Sequence, residues 1–131
     1  MHDFTVKDVV REVRRLAEEK PDFVYAEQEG YGTDSPACYY ASADGRGNGA
    51  GCIVGQALGR LGVSQKDLEG LDDAEDSSVE AALQAVIPTT LDDEGMLDWL
   101  GLVQHDQDRG HEWGKAVAYA DVLVGVPYGS N

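Results

Sequence analysis

Three places in this chain gather residues whose types and spacing could do chemistry. The first is His105-Asp106-Gln107-Asp108-Arg109-Gly110-His111-Glu112, with two imidazoles and three carboxylates in eight residues. Such side chains can bind a metal or move a proton. The spacing fits no zinc motif, because H-E-x-x-H is missing and neither cysteine is near in sequence. The same residue types also collect where a turn joins two helices, and Asp108 and His111 can serve the two helix ends. No metal ligand is assigned from this segment.

The second place is Asp44-Gly45-Arg46-Gly47-Asn48-Gly49-Ala50-Gly51, a loop with alternating glycines that runs into a helix. Free N–H groups and the positive end of a helix dipole can hold a phosphate or carboxylate there. Gly45 to Ala50 satisfies a relaxed G-x-G-x-x-A pattern, but no strand-helix-strand unit surrounds it and no Lys-Ser/Thr pair follows. An EF-hand begun at Asp44 would place Arg46 at the third ligand position, and Gly55 where a bidentate Glu is needed. The expectation is an ordinary connecting loop.

The third is the pair of cysteines. A helix N-terminus lowers a thiol pKa, which would favour reactivity at Cys52. A small apolar side chain turned into the core is the commoner outcome. Cys38 falls in a predicted strand and reads as a structural thiol. There is no G-x-S-x-G elbow. No catalytic residue and no cofactor is assigned.

The elements that must position these groups are mostly helical. Val6, Val9, Val10, Val13, Leu16 and Ala17 form one apolar stripe, opened by Thr5 with Asp8 three residues on and closed by Lys20-Pro21. Lys7, Arg11, Arg14 and Arg15 flank that stripe and are expected to face the acidic half of the molecule. Phe23–Ala26 and Ala37–Ala41 are short and aromatic enough to pair as two strands across a Gly/Pro turn. A second helix covers Cys52–Leu61, with Gly62 at its left-handed end and Val63 as the accompanying contact. Its Gly51, Gly55 and Gly59 share a face, which predicts another backbone packed close by. Ser64 and Ser77 or Ser78 can cap the next two helices, Pro88 ends the second of them, and Thr90 or Leu91 starts another. Gly110 then separates it from a last helix, His111–Leu123, with Trp113, Ala116, Val117 and Ala120 inward.

Two of these stretches resemble, as a pair, a group of small actinobacterial and actinobacteriophage proteins. Gly51–Gly62 is similar to their Cys-x-x-Gly-x-Ala-Leu helix. Gln104–Val117 is similar to their closing Gln-Asp-x-Gly-x-x-Trp-x-x-Ala-Val segment. The resemblance implies that the two segments pack together as a core, and it assigns no activity.

With 131 residues the chain fits a single domain, 1–131, able to fold without metal or disulfide. The fold expected is mainly α: a compact bundle of about five helices with a small two-stranded antiparallel β element. Ten basic and twenty-five acidic residues give a net charge of -15. The excess is localised, with eleven carboxylates and no Lys or Arg from Asp67 through Asp98. A field of that sign repels nucleic acid and anionic lipid. There is no apolar leader and no spanning run, and two cysteines make a poor disulfide framework, so a cytoplasmic protein is expected.

The function these features favour is non-catalytic: an accessory or regulatory protein whose acidic face meets a basic protein partner. Asp72, Asp73, Glu75, Asp76, Asp92, Asp93 and Glu94 are the candidate partner-binding residues. One alternative is a DNA mimic that occupies the groove of a nucleic-acid-binding protein. The other is a small enzyme or ligand-binding protein that brings the Gly45–Gly51 loop and the His105–His111 turn to one pocket.

Overall fold

The computed structural model describes residues 2–24, 52–73 and 78–125. Among them are six helices: α1 (Val6–Glu19), α2 (Ile53–Arg60), α3 (Gln65–Asp73), α4 (Val79–Val86), α5 (Glu94–Asp108) and α6 (Trp113–Val124). A 3-10 turn, Leu91–Asp93, leads into α5. The mainly helical reading of the sequence therefore stands.

Local chemistry starts most of these helices. At α1 the Thr5 amide donates to Asp8 Oδ2 at 2.9 Å, and the Asp8 amide donates to Thr5 Oγ1 at 3.2 Å. Ser64 and Ser78 accept from the Asp67 and Ala81 amides at 3.1 and 3.2 Å. Thr90 and Asp93 form a second reciprocal box before α5. Two helix ends close in the same way. After α2, Gly62 (φ 107) donates to Gly59 and Val63 donates to Leu58. After α5, Gly110 (φ 92) donates to Gln107 and His111 donates to Asp106. Both are Schellman motifs, which need a left-handed residue that glycine adopts without a Cβ clash.

The core lies where α1, α2, α5 and α6 meet. All six residues of the predicted α1 stripe are buried, as are Trp99, Leu100 and Val103 of α5 and Trp113, Ala116 and Ala120 of α6. α5 and α6 form a hairpin across the four-residue link 109–112 and make the most extensive helix–helix contact. α4 packs on α5, and α3 packs mainly on α2. Asp121 ties three helices together. It accepts two bonds from Arg14, at 3.2 and 2.5 Å, and one from the Trp99 indole at 2.8 Å. The Arg14 guanidinium also sits 4.8 Å from the Trp99 ring centroid.

Three expectations change. The described residues contain no strand; Val24 makes one isolated antiparallel bridge, with Glu112. Tyr25–Ala26 and the whole partner segment Ala37–Ala41 lie outside the described residues. The reason Phe23 and Val24 are extended is the start of α6: the Trp113 amide donates to the Phe23 carbonyl at 2.9 Å and the Gly114 amide to the Pro21 carbonyl at 3.0 Å. These bonds satisfy amides for which α6 has no side-chain cap of its own.

Of the α2 glycines, Gly55 is buried, whereas Gly59 is exposed and a Cβ there would meet nothing within 4 Å. A close backbone approach that the sequence did not indicate is at Gly114, where a Cβ would lie 3.1 Å from both the Cβ and the carbonyl oxygen of Pro21. Finally, two residues of the basic flank of α1 are engaged away from the 67–98 stretch. Arg14 binds Asp121, and Arg15 binds Glu12 at 2.8 Å on its own helix.

Candidate functional site

The turn His105–His111 is the end of α5 and the link to α6, and its residues point to different tasks. Gln107 faces inward and is fully buried. Its Oε1 accepts from the Ile53 amide at 2.7 Å, and its Nε2 donates to Asp108 Oδ1 at 2.7 Å. α2 has no side-chain cap from Cys52, so Gln107 caps it from another helix. The first amide of α2, a candidate anion donor at the end of the glycine loop, is therefore already occupied by this side chain. Cys52 beside it is fully buried, as the core reading of that thiol requires. The Gly45–Gly51 loop itself lies outside the described residues.

Burial pushes the Asp108 carboxyl up to about 6, against the opposing effects of the Gln107 amide and the nearby His105. Burial raises the pKa because it penalises the charged form, and one amide donor offsets only part of that. At the far end of α1 the sign is opposite. Hydrogen bonding to Arg60 holds Glu19 below the usual carboxylate range, and the same pair raises Arg60. These Arg60 bonds, at 3.0 and 2.6 Å, clasp α2 to α1 at the surface.

On the other side of the α5–α6 link is a cleft of about 510 Å³. Its described lining combines Asp106, Arg109 and His111 from the turn with Lys115, Ala118, Tyr119 and Val122 from α6. The Schellman closure sets the turn residues in place, since the Asp106 carbonyl accepts from the amides of both Arg109 and His111 at 3.1 Å. Asp106 is almost wholly buried, whereas Arg109, His111 and Lys115 are exposed around it. Val122 is 80% exposed and Tyr119 50% exposed, which is unusual for apolar groups beside a cavity unless something covers them. The arrangement offers one carboxylate inside, two cations and an imidazole outside, and an apolar wall between. Among the described residues, no three His, Cys, Asp or Glu side chains are grouped so as to hold a metal.

The seven acidic candidates are not brought to one spot. Asp72 and Asp73 end α3, which packs on α2. Asp92, Asp93 and Glu94 belong to the 3-10 turn and the start of α5. Asp93 has a structural task, accepting from the Thr90 amide at 2.8 Å. Asp92 and Glu94 are exposed. Glu75 and Asp76 lie outside the described residues.

Sequence reasoning singled out the turn but not the α6 residues opposite it. A signal was available. Ala118, Tyr119, Val122 and Leu123 fall off the inward stripe of α6, so this helix has more apolar positions than one buried face can use. Gln107 and Asp121 left no such signal, because each acts on a partner distant in sequence.

The fold and site together define a small acidic, mainly helical protein with an amphiphilic cleft beside the α5–α6 link. Comparison with protein-family models, with curated proteins and with solved structures returns no match. No helix among the described residues is long and apolar enough to cross a membrane.

Proposed function

We propose that the chain is a non-catalytic cytoplasmic protein that acts through protein contacts, offering its 67–98 stretch to a basic partner. The observation that carries this reading is how the charges are spent. Every described ion pair lies on α1, on α2 or at the start and end of α6: Arg11–Asp8, Arg14–Asp121, Arg15–Glu12, Arg60 with Glu12 and Glu19, and Lys115–Glu112. Asp67, Glu80, Asp92, Glu94 and Asp98 enter none of them. They face solvent with their charge uncompensated. Leu91, directly ahead of Asp92, Asp93 and Glu94 in the chain, is 86% exposed, an apolar group next to carboxylates. An apolar centre with a charged rim is how protein interfaces commonly combine affinity with electrostatic steering.

Affinity capture at low and high salt tests it, with the wild type beside a variant carrying Asp92→Asn, Glu94→Gln and Asp98→Asn. Basic proteins retained at low salt, released at high salt and absent from the variant support the reading. Release of the same proteins by added DNA identifies the DNA-mimic form of it. A captured set indifferent to both salt and the substitutions refutes it.

A further inference from the structure

The cleft between the α5–α6 turn and the outer face of α6 contains charged groups that the fold does not use. Asp106 is 6% exposed and lines the cavity, yet its carboxylate makes no hydrogen bond or ion pair among the described residues. Its structural duty is carried by its backbone carbonyl, which closes the turn. Folding thus gives no reason for an acid at this position. Leaving a carboxylate nearly buried and unpartnered is costly. The Arg109 and His111 side chains on the same cavity are also unpaired among the described residues. Lys115 pairs with Glu112 at 3.2 Å but is largely exposed and can turn toward the opening.

The charges select the class of ligand. A plain anion would meet Asp106, and a plain cation would meet Arg109 and Lys115. A neutral apolar molecule would leave the Asp106 carboxylate unpaired under a dry cover. We propose that this cleft binds a small zwitterion with an apolar body. Its protonated amine sits on Asp106, its carboxylate between Arg109 and Lys115, and its apolar group on Ala118, Tyr119 and Val122. A cavity of about 510 Å³ is within the range of small-molecule sites. Arg109 suits the carboxylate because its fork can make two parallel bonds. This site stands apart from the acidic 67–98 stretch and does not depend on the role proposed for it.

The test is a titration of the full chain followed by backbone amide NMR. The probes are L-phenylalanine and the dipeptide phenylalanyl-leucine, zwitterions of short and long charge separation, each with its N-acetyl and its C-terminal amide derivative. The expected result is that at least one zwitterion shifts the amides of Arg109, His111, Lys115 and Tyr119. Its two derivatives should then bind about tenfold more weakly or worse, since each lacks one charged contact. Asp106→Asn should erase the preference for the free amine, and Arg109→Gln the preference for the free carboxylate. The amide spectrum of each variant reports whether it is folded, and the derivative series on the wild type decides the matter without them. If neither zwitterion moves these amides at millimolar concentration, the proposal fails. It fails equally if the N-acetyl form binds as tightly as the zwitterion.

Discussion

Replacing Gln107 by leucine isolates the bond that joins α5 to the start of α2. The side chain is fully buried and makes two bonds of 2.7 Å, one to the Ile53 amide and one to Asp108. Leucine has nearly the same volume, so the cavity cost is small. What is lost is polar. A buried amide left without an acceptor costs about 1–3 kcal/mol, and the bond to Asp108 about 1 kcal/mol more. Some of this is offset by the apolar surface that leucine buries, for a net loss of about 2–3 kcal/mol. Urea denaturation with an unchanged m value would measure it. Amide hydrogen exchange should show the loss of protection concentrated at Ile53. Gln107→Glu separates the two bonds, because it keeps the acceptor for Ile53 but sets a second carboxylate against Asp108. It should be as unstable as the leucine variant near pH 7, and recover toward acid pH, where a proton shared between the carboxyls restores the contact. A leucine variant within about 0.5 kcal/mol of wild type, with Ile53 still protected, would refute the capping role altogether.

Other consequences follow from single contacts. Asp108 ionises near 6 when folded, against 3.8 in an open chain. The native state therefore holds this proton more tightly between those values. The stability it contributes is complete below about pH 4 and lost as pH rises through about 6. A shift of about two pKa units corresponds to ~3 kcal/mol, and partial exposure of the carboxyl reduces this to about 1–2 kcal/mol. Asp108→Asn should then be more stable than wild type near pH 7 by that amount and equal to it near pH 4, as read from denaturation midpoints; equal stabilities at both would count against the shift. Gly114→Ala places a methyl 3.1 Å from the Pro21 backbone oxygen, which cannot rotate away. The expected loss is about 1–3 kcal/mol with weakened protection at Trp113, whereas Gly59→Ala, with open space around it, should be stabilising by up to about 1 kcal/mol.

What the sequence made legible is the chemistry that acts within one turn of the chain. Thr5 with Asp8, Ser64 and Ser78 are caps whose donor and acceptor are three residues apart, and each is found in place. The apolar stripe of α1 and the left-handed Gly62 belong to the same local class. The caps that escaped notice are tertiary. Gln107 reaches Ile53 across 54 positions, and Pro21 and Phe23 supply carbonyls to a helix that begins at Trp113. Phe23 and Val24 look like a strand because their aromatic and β-branched types suit extended backbone. They are extended for another reason, to meet the amides of α6. The glycine strip is covered in part, since Gly55 is buried and Gly59 is exposed. Spacing says which glycines share a face, but not how far along the helix that face stays covered. Of the candidate site, the turn was legible from its clustered charges. The opposite wall was not, because exposed Tyr119 and Val122 look like core residues until α6 has an orientation.

The two sites proposed share a physical origin in the way this acidic chain disposes of its few cations. With ten basic residues against twenty-five acids, any cation left outside an ion pair is a position where the fold has declined a nearby partner. Arg14 and Arg60 are consumed in joining helices, and none of the described ion pairs includes Asp67, Glu80, Asp92, Glu94 or Asp98. Arg109 is such a cation, with the imidazole of His111 beside it on the same cleft. They sit within one turn of several carboxylates, yet the Schellman closure directs their backbone amides to the Asp106 carbonyl and leaves their side chains at a cavity mouth. Long-range attraction in a protein of net charge -15 should draw cationic groups toward the opening, while Arg109 and Lys115 reverse the sign locally. A ligand carrying both charges is the one kind that the overall field and the local one can admit together. Added salt should therefore weaken a basic protein on the acidic stretch far more than a zwitterion in the cleft, whose net charge is zero.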